Sequence, residues 1–353
     1  MKNFKIKILN SFSEELKNNW EEFESRSHHH IFQTYKWQKL WLEKQLEYKC
    51  NIKNYTVFVY ENNVLIMILP FNIKKQYSIK ILSWSGFPFS DYNIPLMIKD
   101  LNMTNENFKI IWKIILETIQ DIDCIVLQNH PENIFNKKNP FYFFLKNKVN
   151  NESYGIKLDK EFNLKKNELE NIKYQTNRLK KLGNLNFKEA KSVDEKKKIM
   201  NFIIQHKSKQ YIKTKAWNLF KNRFNKDFFI LSSLTMEEKA YITYMELNNE
   251  IIAAHSGFIY NNICYYLFPV YNDAFNKYSP GKILLKKIID DSKSNLLKYF
   301  DLTIGSENYK KDYSNIKFYS SVFLKSFNLK GYFFIFLLNF KDVVKKFLKG
   351  LKL

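Results

Sequence analysis

Residues 271–310 read YNDAFNKYSPGKILLKKIIDDSKSNLLKYFDLTIGSENYK, and their order decides the fold. An aromatic strand, Ile263 to Val270, runs into a polar loop. Ser279-Pro280-Gly281 follows, then an apolar-periodic helix, then a short strand around Phe300-Asp301-Leu302. Ser279 suits the N-cap of that helix, Pro280 its first position, and Gly281 a close approach of ligand to backbone. The free N–H groups of such a helix start form an anion site. Strand, phosphate-sized nest and helix in this order suit a nucleotide-bearing donor.

Outward from this stretch, residues 239–270 read as three antiparallel strands, with Asn248-Asn249 at one turn. Before them come a strand from Leu185 to Ala190, helices at about 194–225 and a strand FFILSSL at 228–234. Residues 164–182 form a polar, basic helix ended by Gly183, the best candidate for a domain boundary. In the first half, residues 56–73 read as a hairpin around Asn62-Asn63, residues 80–97 as a strand and loop, residues 108–119 as an apolar-striped helix, and residues 123–129 as a buried strand. The two Asn-Asn hairpins are each followed by an aromatic strand, a loop, a helix and a further strand, which reads as one α/β unit duplicated and diverged. The expected division is 1–160, 161–330 and a tail at 331–353.

The tail, GYFFIFLLNFKDVVKKFLKGLKL, is apolar and then amphipathic. Val343, Val344, Phe347, Leu348 and Leu351 share a helix face, and Lys341, Lys345, Lys346, Lys349 and Lys352 lie off it. A last strand with a helix docked on the core competes with an interfacial, peripheral membrane anchor.

Composition narrows the function classes. A hydrophobic fraction of 45% with 17% aromatics supports a sizeable core in 353 residues and argues against disorder. The net charge of +22 points to an anionic partner, yet almost all of it is lysine: Arg26, Arg178 and Arg223 are the arginines. Solvated lysines of an Asn/Lys/Ile/Phe-rich chain are the favoured explanation over a specific polyanion surface. Three distant cysteines, Cys50, Cys124 and Cys264, read as reduced thiols in a cytoplasmic protein. Met1–Asn10 lacks the apolar core of a secretory signal, and no apolar run is long enough to span a bilayer. No zinc-ligand spacing, nucleophile elbow, Walker loop or dinucleotide fingerprint is present. His28-His29-His30 reads as a surface loop, and no metal is expected.

What remains is a set of residues at strand ends. His255 follows Ala253-Ala254; Tyr278 precedes the Ser-Pro-Gly turn; Asp301 ends a strand; Gly305 and Tyr309-Lys310 follow. In the first half, Phe32-Gln33 stand with Trp37 and Trp41, and Ser90-Asp91-Tyr92 lie after a strand. With Leu284-Leu285, this ordered set over about residues 30–315 resembles the double-GNAT acyltransferases of the Fem-like superfamily, closest to the CelD-like, cellulose-biosynthesis-associated acetyltransferases. The departure is the 164–182 helix, which carries Arg178 where such relatives carry several arginines.

The resemblance implies a mixed-sheet α/β fold (α+β) of two tandem GNAT-like domains, packed together and joined by the basic helix, with donor binding in the second. It implies a metal-free acyltransferase using acetyl-CoA or another acyl-CoA, whose acceptor is an amine or hydroxyl on an amino sugar or polysaccharide precursor. Phe268, Val270, Tyr278, Ser279, Pro280, Gly281 and Lys282 would hold the donor. His255 is the first choice of base, having an unperturbed pKa near neutral, with Asp301 and Asp91 as alternatives. Trp37, Tyr92, Tyr309 and Lys310 would meet the acceptor. Bland readings stand beside these: His255 as a core residue, Asp301 and Asp91 as turn caps. Fem-type relatives take aminoacyl groups from tRNA for cell-wall precursors, which is the alternative. A catalytically silent membrane- or RNA-associated module is a third reading. A monomer or homodimer is expected, cytoplasmic or at the inner face of a membrane.

Overall fold

Asn62 and Asn63, Asn248 and Asn249, and Asn261 and Asn262 all take left-handed backbone angles, with φ between 49° and 68°. Two such residues in succession make the turn whose twist matches paired strands, and asparagine tolerates it best after glycine. A computed structural model describes residues 3–144, 149–160 and 162–350. In chain order its elements begin β1 (Phe4–Leu9), α1 (Glu14–Arg26), β2 (Ser27–His28), α2 (Tyr35–Glu47), β3 (Ile52–Glu61), β4 (Val64–Gln76), β5 (Ile79–Trp84), β6 (Leu96–Ile98), α3 (Asn105–Thr118) and β7 (Cys124–Pro131). A small hairpin, β8 (Asn133–Ile134) and β9 (Lys137–Lys138), precedes β10 (Val149–Lys157). Then come α4 (Lys166–Lys180), β11 (Leu185–Glu189), α5 (Val193–Lys213), α6 (Arg223–Thr235), β12 (Ala240–Leu247), β13 (Glu250–Tyr260) and β14 (Ile263–Tyr271). Finally, α7 (Pro280–Ser294), β15 (Tyr299–Ile304), α8 (Asn308–Asp312), β16 (Ile316–Ser326) and α9 (Leu329–Gly350) follow.

The chain forms two units, one of residues 1–151 with 319–353, the other of residues 152–318. In the first, the strands run β1-β3-β4-β5-β7-β16. All neighbours are antiparallel except β5 and β7. In the second, they run β11-β12-β13-β14-β15-β10, and again one pair, β14 with β15, is parallel. A strand, two helices, three antiparallel strands, a helix and a parallel strand thus occur twice in the same order and pairing. The repeat read from the hairpins is the repeat of the fold. In each unit the helix before the parallel strand supplies the core stripe: Phe108, Ile111, Trp112 and Ile115 on α3, and Ile283, Leu284, Ile288 and Ile289 on α7.

Four expectations change. FFILSSL at 228–234 is part of α6 and not a strand. Phe228, Phe229, Ser232 and Ser233 are its buried positions, a helical spacing that a short apolar run hides. The boundary falls at 151/152, and the segment from Tyr319 belongs with the first unit, because β16 pairs with β7. Residues 331–340 are helical throughout, within α9. His29 is buried, with its Nδ1 3.0 Å from the Ser27 hydroxyl, and His30 packs against Phe135 at 5.3 Å, so the histidine run is no open loop. The basic helix α4 lies within the second unit, held by buried Ile172 and Leu179 and by the Glu168–Lys282 ion pair at 2.9 Å.

Candidate active site

β14 and β15 pair over only three positions, Ile263 with Tyr299, Cys264 with Phe300 and Tyr265 with Asp301. Both strands then continue unpaired with each other, to Tyr271 and Ile304. On its other edge β14 carries a bulge: Tyr266 and Leu267 together oppose Gly257 of β13. A Cβ at Gly257 would lie 1.9 Å from the Tyr265 carbonyl oxygen, so the bulge needs glycine there. Where the two strands part, a cavity of about 460 Å³ opens within the second unit. Tyr266, Val270 and Tyr271 of β14 line it, with Ser279 to Lys282 at the start of α7. A face of α5 (His206, Lys207, Gln210 and Lys213), Thr214 just after it, Asp273, Glu307 and, on α8, Tyr309 also line it.

The start of α7 is unusual. Ser279 occupies the N-cap position but in the left-handed conformation, φ 51° and ψ 47°, and its hydroxyl makes no capping bond. Its N–H donates to the Asn276 carbonyl at 3.0 Å, and its own carbonyl accepts the Lys282 N–H at 3.0 Å. The serine cap expected from sequence is therefore absent; Pro280 has no N–H, the Lys282 and Ile283 N–H groups both turn to the Ser279 carbonyl, and the Gly281 N–H is the first-turn donor left for a ligand. The first unit contrasts with this. There Thr104 Oγ1 caps α3 by accepting the Asn107 N–H at 3.2 Å. The space beside β5 and β7 is filled by Trp84, His130 and Phe141, with the Trp84 indole 3.3 Å from His130 Nε2.

The charges in the cavity are specific. Lys207 is half-buried on α5, donates to the Pro269 carbonyl at 3.3 Å, and is pulled by burial down to about 8. Burial pushes the Glu307 carboxyl up, but Lys310 at 3.1 Å and then Lys207 hold it below the usual carboxylate range. Lys310 is buried and also donates to the Ile304 carbonyl at 2.9 Å. Gly305, at φ +146°, allows this fold-back: a Cβ there would meet the Glu307 carboxylate at 2.1 Å. Burial, aided by Glu307, pushes the Tyr309 phenol well above its usual range.

Of the residues expected from sequence, Val270, Ser279, Pro280, Gly281, Lys282 and Tyr309 line this cavity. Lys310 sits behind Glu307. Asp301 is 7% exposed, accepts the Thr303 N–H at 2.7 Å and is not among the lining residues. Phe268 packs instead on Phe220 and Phe229, at 5.3 and 4.7 Å. Tyr278 is a core residue beneath the Arg178 guanidinium, 4.8 Å from its ring centre. His255 is fully buried, lies flat on Tyr266 at 4.4 Å, and has no hydrogen-bond partner on either ring nitrogen among the described residues. Burial drives it down to about 3, so it is neutral, weakly basic and one ring removed from the cavity wall. Trp37 and Tyr92 are buried in the first unit, where the Trp37 indole donates to Ser90 Oγ at 3.1 Å. Asp91 lies in the loop after β5 of that unit. The sequence reading missed the α5 face and Glu307. Positions 206, 207, 210, 213 and 214 share a helix face, a spacing legible in the sequence but indistinguishable from a solvated surface. Cys124 and Cys264 are buried and pushed up to about 12, as inert thiols should be.

Residues 166–311 match the family described as Acetyltransferase (GNAT) domain. Among solved structures, FemX aligns with 91% of this chain and 95% of its own, at a TM-score of 0.58 and 8% identity. A conserved protein of unknown function from Bacteroides thetaiotaomicron VPI-5482 aligns with 90% of this chain and 100% of its own, at a TM-score of 0.53 and 8% identity. A comparison with curated proteins gave no match. At such identities the structural likeness speaks for fold alone. The cavity between α5, β14 and α7 thus lies within residues 166–311, the stretch that matches the acetyltransferase (GNAT) domain.

Proposed function

We propose that the second unit transfers an acyl group, acetyl by default, from acyl-CoA to an amine or hydroxyl of a polar acceptor. The observation that carries this reading is the uncapped, left-handed start of α7 opening into the cavity where β14 and β15 part. The Gly281 N–H at the start of α7, with the Lys207 and Lys282 ammonium groups, binds the donor phosphates. The edge of β14 left bare beyond Tyr265 accepts the amide-bearing arm of the donor as an added strand. The bulge at Tyr266-Leu267 turns the backbone toward the thioester carbonyl, where an N–H can stabilise the oxyanion. Glu307, ionised and on the cavity wall, receives the acceptor's proton as its nitrogen or oxygen bonds to the acyl carbon. The carbon–sulfur bond then breaks, and the CoA thiolate leaves and takes up a proton. The motif order that resembles CelD-like enzymes favours an amino sugar or polysaccharide precursor as acceptor.

The net charge of +22 favours one second reading, aminoacyl transfer from tRNA. Calorimetric titration of the full chain with acetyl-CoA, CoA and charged tRNA at two salt concentrations separates them. Micromolar, weakly salt-dependent CoA binding is the expected result. Steeply salt-dependent tRNA binding without CoA binding would replace the donor. Silence from all three would leave a non-catalytic module.

Lys207 adds a pH test. Its ammonium form, present below about pH 8, is the one that binds anions. Affinity for CoA should be full near neutrality and fall roughly tenfold as pH rises through this value, the worth of one charge-assisted hydrogen bond. Lys207→Gln should bind at the weaker level throughout and lose that step. A Lys207→Gln titration that keeps the wild-type step would assign it elsewhere.

A further inference from the structure

α9 starts from a fixed point. Phe327 donates its N–H to the Asp123 carbonyl at 2.9 Å, and the Asn328 side chain donates to the Asp123 carboxylate at 2.6 Å while accepting the Gly331 N–H at 3.0 Å. A Cβ at Gly331 would lie 2.0 Å from the Asp123 carbonyl oxygen, so the helix is pressed against the edge of the first unit here. Its opposite side is bare. Leu329, Tyr332, Phe333, Phe336, Leu337 and Phe340 are 39–86% exposed. They recur at intervals of three and one, a single stripe along the helix. A soluble surface rarely exposes so many large apolar side chains side by side.

The sequence extends the stripe. At helical spacing Val343, Val344, Phe347, Leu348 and Leu351 continue it, and Lys341, Lys345, Lys346, Lys349 and Lys352 fall off it, against a single acid, Asp342. Leu351 and Lys352 lie outside the described residues. Among the described residues no helix is long and apolar enough to cross a membrane. An aromatic stripe bordered by lysines on a helix of 22 residues is built to lie in an interface, its rings among acyl chains and its ammonium groups at the headgroups. A second copy of the chain would set lysine rows against each other, on a protein of net charge +22, whereas anionic lipid complements both features.

We propose that α9 docks this protein onto anionic phospholipid surfaces, lying in the plane of the interface. The proposal stands apart from the transferase reading. The test is cosedimentation of the full chain with phosphatidylcholine vesicles, with and without phosphatidylglycerol, for wild type and the triple variant Phe333→Glu, Phe336→Glu, Phe340→Glu. These three side chains are exposed, so the variant should keep its melting temperature. The wild type should bind the phosphatidylglycerol vesicles, more weakly as salt rises, and the variant at least about a hundredfold less. Absence of wild-type binding to either vesicle overturns the proposal, as does equal binding by the variant. A concentration-dependent dimer that the same substitutions dissolve, without vesicle binding, overturns it in favour of a second copy.

Discussion

Gly281→Val should lower affinity for CoA by at least about a hundredfold and leave the melting temperature close to that of the wild type. Gly281 is the second residue of α7 and lines the cavity. A Cβ alone would stand 3.2 Å from Tyr271 Cδ1, a contact that Tyr271, at 36% exposure, can relieve by a small shift. Valine adds two further methyls, which occupy the space a phosphate needs to reach the Gly281 N–H and the Lys207 ammonium. Losing the charge-assisted hydrogen bonds from the Gly281 N–H and the Lys207 ammonium, each worth about 1.5–3 kcal/mol, gives the stated loss. Helix stability is not the cause, because valine is no worse than glycine in a helix. Gly281→Ala should fall between, roughly tenfold weaker, because one methyl can be absorbed by the Tyr271 ring. Calorimetry with CoA and a thermal melt check both. CoA affinity unchanged in the valine variant would remove the phosphates from the start of α7.

Glu307→Gln should lower kcat/KM for the acceptor about a hundredfold, at the lower end of what a general base contributes. CoA affinity should be unchanged or slightly tighter, since a negative charge leaves a cavity that also holds Lys207 and Lys282. The acid limb of the rate profile is the second signature. Lys310 and Lys207, overriding burial, hold Glu307 below the usual carboxylate range. Wild-type activity should therefore persist until the pH falls beneath that range, and the glutamine variant should lose this limb. Glutamine keeps the shape, and Lys310 keeps its bond to the Ile304 carbonyl, so the loop should hold. Steady-state kinetics with a polar amine acceptor and calorimetry with CoA check the split. A loss of CoA affinity equal to the loss of kcat/KM would mean that Glu307 only shapes the loop.

Features with a local cause are legible in the order of the residues alone. Paired asparagines fixed the hairpin turns, because left-handed backbone is a property of two adjacent residues. Ser279-Pro280-Gly281 marked the start of α7, and the stripes on α3 and α7 marked the core, because helical period is written in neighbouring positions. The remainder depends on which distant parts of the chain pack together. A histidine between alanines carries no sign that Tyr266 will cover it and that burial will leave it neutral. The cavity joins α5, β14, α7 and the loop after β15, parts separated by scores of residues, so Lys207 and Glu307 meet only once the strands diverge. Whether a polar helix face or a carboxylate becomes a site depends on what the chain brings opposite it, and that is a long-range fact.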